Sequence, residues 1–170
     1  MKIIKTKSAP YPRKVIFNNG RESPVPNQKK FKSDFIKHHG CSMAGFYIAL
    51  RFCGKKEKMN PLLKWSRGHL KSYMKSKLTI KGVAKGLNKK CGRKVATYYK
   101  KPTWARVDKA LSNGYLVLIE QGSPIHTVVL YRAGKTYKLD HGNVTKVSAK
   151  SVVKKATSNS TYRGLVVVKG

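Results

Sequence analysis

This 170-residue sequence predicts an α+β domain, and three observations carry that reading. Apolar residues recur at helical spacing over much of residues 41–90, whereas β-rich runs parted by turn residues fill 115–139. Hydrophobic residues make up 40% of the chain, enough for a real core. Helices first and antiparallel strands later point to a helical part packed on a sheet. The length suits one domain and is short for two.

The elements follow in order. Residues 1–30 hold Pro10, Pro12, Pro24, Pro26 and the turn Asn18-Asn19-Gly20. They predict an extended N-terminal arm with a short hairpin around 14–17, ahead of a single domain over 31–170. The run Cys41–Phe52, CSMAGFYIALRF, is apolar at nearly every position and predicts a central helix buried on most sides. Gly54 stops it, and Lys55 and Lys56 suit the negative end of its dipole. A second helix is expected over 61–77, weakened at Gly68, and a third over 79–90, ended by Cys91-Gly92. Residues 95–99 read as a short strand, and Thr103 as the N-cap of a helix stopped by Asn113-Gly114. Strands are expected over 115–120, 126–132 and 136–139, the last two joined by a tight hairpin at Gly134-Lys135. A short helix over 148–156 and a strand at Leu165–Val168 close the chain.

Charge narrows the function classes. Lys and Arg number 38 against 6 Asp and Glu, a formal net charge of +32. Such a surface attracts polyanions without regard to sequence, so non-specific polyanion binding is expected. The cations are mostly Lys, point charges rather than bidentate readers of bases, and they are spread along the chain. Glu22 and Glu57 lie in polar stretches, Asp34 shortly before the first Cys and Asp108 in a helix. Only Glu120 and Asp140 end apolar strand-like runs. The three cysteines form no CxxC pair and no even disulfide framework, so compartment and oligomeric state stay open. The opening residues lack the apolar stretch of a signal peptide, leaving a cytoplasmic chain or a processed exported one. No stretch is apolar enough to span a membrane.

One constellation carries chemistry. Cys41 follows Gly40 and opens the apolar helix, where the positive dipole end favours a thiolate. Gly40 leaves room for substrate near the Cys41 N–H, an oxyanion donor. His126 begins a strand after the loop 121–124, with Val128 and Leu130 of its pleat face expected inward. A hairpin would return Asp140 to the end where His126 starts, to accept the imidazole N–H. Asn143 is an alternative orienting group, and His141 is expected on the opposite face from Asp140.

The segments Gly40-Cys41, His126-Thr127-Val128-Val129 and Leu139-Asp140 occur in an order similar to that of the papain-like cysteine peptidase superfamily. Within it the chain resembles the family typified by bacteriocin double-glycine leader peptidases, over about residues 31–168. The resemblance implies a papain-like fold and a peptide or protein substrate. It implies Cys41 as nucleophile, His126 as base and Asp140 as its orienting partner, with no cofactor. The family pattern also places an oxyanion-hole Gln six residues before the Cys; that position is Phe35 here, and Gln28 lies further upstream. His39 is then the nearby oxyanion candidate beside the Cys41 amide. Loss of such a donor costs roughly two to three orders of magnitude in rate.

Two other readings use the same residues. A catalytically weakened papain-like domain would bind peptide or an anionic cell-wall polymer. A basic nucleic-acid-binding module would use the charge and the patch Tyr98-Tyr99-Lys100-Lys101, which otherwise reads as a strand edge. His38, His39 and Cys41 lack the paired spacing of zinc ligands, so no metal site is expected. Trp65 and Trp104 are expected to pack in the core or against helices.

Overall fold

Local chemistry sets most element boundaries in the computed structural model, which describes residues 1–122, 124–158 and 164–170. Strands β1 (Lys2–Lys5), β2 (Arg13–Ile16) and β3 (Glu22–Val25) precede a 3₁₀ turn at Gln28–Lys30. Helices α1 (Asp34–His39), α2 (Cys41–Phe52), α3 (Met59–His69) and α4 (Ile80–Cys91) follow. Then come β4 (Ala96–Tyr99), α5 (Trp104–Ser112), β5 (Leu116–Gln121), β6 (His126–Ala133), β7 (Lys135–Asp140) and β8 (Asn143–Lys146). The chain ends with α6 (Ala149–Thr157) and β9 (Leu165–Val168). Ser123, in the loop expected before His126, lies outside the described residues.

Caps explain the helix starts. The side chains of Ser33, Thr79, Thr103 and Ser148 each accept the N–H three residues on, at α1, α4, α5 and α6. Gly92 ends α4 in the left-handed region at φ 67°. The second helix is shorter than expected: it ends at His69, and a 3₁₀ turn at Lys71–Tyr73 takes over. Neither α1 nor β8 was legible in the sequence.

Residues 1–30 are not an extended arm. They form an antiparallel three-stranded sheet, ordered β1-β2-β3, whose Val15, Phe17 and Val25 are buried in the main core. Phe17 packs edge-on against Phe52 of α2 and Tyr131 of β6. A sheet with one apolar face gains more by burying it than a free arm would.

The larger sheet has six strands in the order β4-β9-β5-β6-β7-β8, with every pairing antiparallel. Helices cover both of its faces rather than one. Thr127 packs against Gly45 of α2, and Val129 and Tyr131 share the core that α2 and α4 build. Val128 and Leu130 face the other way, into a second core with α5 and α6. Both are buried, as expected of inward-facing residues, and the two-residue period of the strand gives the α2 side to Thr127, Val129 and Tyr131. α2 is buried nearly all round, as its composition predicts. Among the described residues no helix is long and apolar enough to cross a membrane.

Candidate active site

The site begins at the step between α1 and α2. A Cβ on Gly40 would stand 2.1 Å from the Ile36 carbonyl oxygen, so only glycine lets α2 start against the end of α1. Ala44 N–H donates to the Gly40 carbonyl at 2.8 Å, opening the α2 ladder. The N–H groups of residues 41–43 therefore have no partner inside the helix, and their positive end bears on Cys41.

The Cys41 sulfur interacts with His126 and with both the backbone N–H and the hydroxyl of Thr127. Burial pushes its pKa up, but these interactions and the His126 charge outweigh burial and leave the thiol below its ordinary value. His126 opens β6, and its Nε2 lies 2.7 Å from Asp140 Oδ1 at the end of β7. With Nε2 so engaged, Nδ1 is the ring nitrogen left for Cys41. The His126 pKa is raised to about 9, by the Asp140 hydrogen bond first and the Cys41 bond second, against burial. Burial pushes Asp140 up, but the bond and charge of His126, then His141 and Lys138, hold it below the usual carboxylate range. The arrangement favours a thiolate, an imidazolium and a carboxylate in line.

His141 is not on the far side of the hairpin. His141 (φ 46°) and Gly142 (φ 77°) form the two-residue turn between β7 and β8, so strand alternation stops at Asp140. The His141 ring stacks on His126 with centroids 4.7 Å apart and planes 7° apart, and its Nε2 is 3.7 Å from Asp140 Oδ1. Burial lowers its pKa, Asp140 opposes, and the charges of His126, Lys29 and Lys138 lower it further. It stays neutral beside the His126 imidazolium.

The N-terminal sheet braces this turn. Arg13 donates to the Gly142 carbonyl at 3.2 Å and to Asn143 Oδ1 at 2.6 Å. Asn143 is thus held by Arg13, and Asp140 takes the orienting position beside His126. A Cβ on Gly142 would lie 2.5 Å from the Pro12 ring, so the turn and the sheet fit only with glycine there.

Of the two oxyanion candidates, Cys41 lines a small pocket and His39 does not. His39 is exposed at the end of α1 with its ring against Phe35, and Phe35 lies under the Arg67 guanidinium. Gln28, only 9% exposed, instead lines a pocket of about 10 Å³ with Cys41, Thr127, Asp140 and His141. That volume suits one water-sized atom. Helix α1 occupies part of the stretch between Gln28 and Cys41, which is why spacing along the chain hid the pair. Gln28 is one of two glutamines in the sequence, the one usable signal.

The other singled-out residues have plain partners. Glu120 accepts the Gly164 N–H at 2.8 Å and ties β5 to the start of β9. Asp108 pairs with Arg132 at 2.9 Å, and Glu57 with Lys90 at 2.7 Å. Trp65 packs on Phe46 and His69, whereas Trp104 opens α5 at 37% exposure rather than packing inside. Tyr99 stands on the edge strand β4, capped by Arg106 at 4.0 Å. His126, Asp140 and His141 also bring one ligand atom each within 4.8 Å of one another, a metal-compatible group that spacing did not reveal. Neither His38 nor His39 belongs to it. No family model matches the chain, and no curated protein or solved structure matches it either.

Proposed function

We propose that this protein is a papain-like cysteine peptidase or amidase working through Cys41, His126 and Asp140. The observation that carries the reading is His126 held on both sides, by Asp140 at 2.7 Å and by the Cys41 sulfur. That arrangement charges the thiolate before substrate arrives.

The chemistry follows from the geometry. The Cys41 thiolate attacks the substrate carbonyl carbon, and the carbonyl oxygen becomes an oxyanion. The Cys41 N–H and the Gln28 amide beside the small pocket are the donors for it. His126 gives its proton to the leaving amine, and a thioester remains on Cys41. His126, now neutral, takes a proton from water; the hydroxide attacks the thioester, and the acid leaves as the thiolate re-forms. Asp140 keeps Nε2–H pointed at itself, so that Nδ1 stays aimed at sulfur. The net charge of +32 favours acidic peptides or anionic surroundings, with a salt dependence that catalysis itself would not have.

Iodoacetamide at pH 7 tests the reading. One thiol, Cys41, is expected to be alkylated stoichiometrically and fast, and Cys41→Ala to abolish that fast phase. A fast phase surviving in Cys41→Ala, or Cys41 alkylated no faster than a free cysteine, overturns it.

A further inference from the structure

The ends of α2 and α4 meet at two cysteines that the proposed chemistry does not use. α2 and α4 run side by side: Gly86 of α4 sits against the Phe46 ring of α2, where a Cβ would be 2.6 Å from Cζ. Further along both helices, Cys53 caps α2 and Cys91 is the last residue of α4. Their side chains lie close enough to interact, and both thiols are free. The Lys90–Glu57 ion pair, 2.7 Å and largely shielded, ties α4 to the connection that follows α2. Cys53 also lines an open pocket whose cations are Arg21, Arg51, Lys55 and Lys56, with Glu22 as its carboxylate.

We propose that Cys53 and Cys91 form a disulfide by exchange with an anionic small-molecule disulfide of the glutathione class. One protein thiolate attacks a sulfur of oxidised glutathione, and a glutathione thiolate leaves. The neighbouring cysteine gives its proton to solvent and attacks the protein sulfur of the mixed disulfide, and a second glutathione thiolate leaves. Two protein thiols are oxidised and one glutathione disulfide is reduced to two thiols.

The surroundings suit such a bond. The cationic pocket attracts the carboxylates of glutathione. Burial first, then the neighbouring Cys91, push the Cys53 thiol up to about 12, against the opposing charges of Arg21 and Arg93. A thiol of such high pKa is a poor leaving group, so the disulfide resists reduction once made. The bond would staple the end of the nucleophile's helix to α4 and leave Cys41 as the one free thiol.

The test equilibrates the full chain in oxidised or reduced glutathione, followed by alkylation, non-reducing peptide mapping and thermal melting. Oxidised protein is expected to be roughly 2 Da lighter, with a Cys53–Cys91 linked peptide and Cys41 still alkylated. Its melting midpoint should rise by roughly 10 °C over the reduced form, and Cys91→Ala should lose that rise. Cys41→Ala should form the same link, so the outcome does not depend on the catalytic proposal. Recovery of Cys53 and Cys91 as free or glutathione-capped thiols overturns the inference. So does a link through Cys41, or a link that leaves the melting midpoint unchanged.

Discussion

The two ends of helix α2 each carry a cysteine, and the chain treats them in opposite ways. Cys41 at the N-terminal end meets the open amides of the first turn, His126 and two Thr127 donors, and its thiol becomes more acidic. Cys53 at the C-terminal end meets helix carbonyls, apolar neighbours and a second thiol, and its pKa climbs to about 12. Both are buried in large part, so burial alone does not separate them; the dipole end and the polar partners do. One apolar helix therefore holds a thiol made more acidic at one end and a thiol made less acidic at the other.

The sharpest way to break this contrast is to remove the reactive end. Cys41→Ala is expected to lower kcat/KM on a cleaved peptide by about 10⁵-fold or more, while Cys53→Ala changes it less than about threefold. Comparable losses at both positions would mean that the helix, rather than its N-terminal site, is what activity reports. Asp140→Asn should cost about 10³- to 10⁴-fold in kcat with little change in KM, because the imidazole loses its preferred tautomer.

Gln28→Ala is expected to cost about 10²- to 10³-fold in kcat, whereas His39→Ala should be nearly silent. The reverse ranking would return the oxyanion role to the end of α1. The smallest effect is a difference in alkylation rate near pH 7 between the two ends of α2. Thiolate fraction favours Cys41, whose thiol is lowered, over Cys53, whose thiol is raised to about 12, and the lower nucleophilicity of the more acidic thiol trims that advantage to about thirtyfold or more.

The pH dependence follows with a definite sign. The His126 pKa is raised from 6.5 to about 9, so its interactions stabilise the fold fully below 6.5. That contribution is lost as pH rises through about 9. Activity should fall over the same alkaline range, as the proton destined for the leaving amine is lost. A pH–rate profile flat through pH 9, measured on folded protein, would contradict the assignment of His126.

The sequence was most informative where short-range chemistry decides. The apolar run from Cys41 to Phe52, the Thr103 cap, and the glycine at position 134 are local signals, and each marks an element edge in the structure. The order of Cys41, His126 and Asp140 was visible for the same reason, since each sits at the end of an element. The place of His141 is not legible, because strand alternation stops at Asp140 and a turn with positive φ follows. Beyond the hairpin expected around 14–17, the N-terminal sheet is not legible, because prolines and short polar runs resemble an arm until a core exists for Val15 and Val25 to enter.

What the sequence determined by itself was the set of periodic segments, their caps and stops, the excess of positive charge, and a cysteine at the mouth of a buried helix. Tertiary structure alone decided which residues surround that cysteine and its counterpart. Gln28 reaches the Cys41 pocket because the stretch containing α1 folds back, Thr127 because β6 lies against α2, and Cys91 meets Cys53 because α4 runs beside α2. Such contacts join segments far apart along the chain, whereas period and capping report only on neighbours within a turn or a pleat.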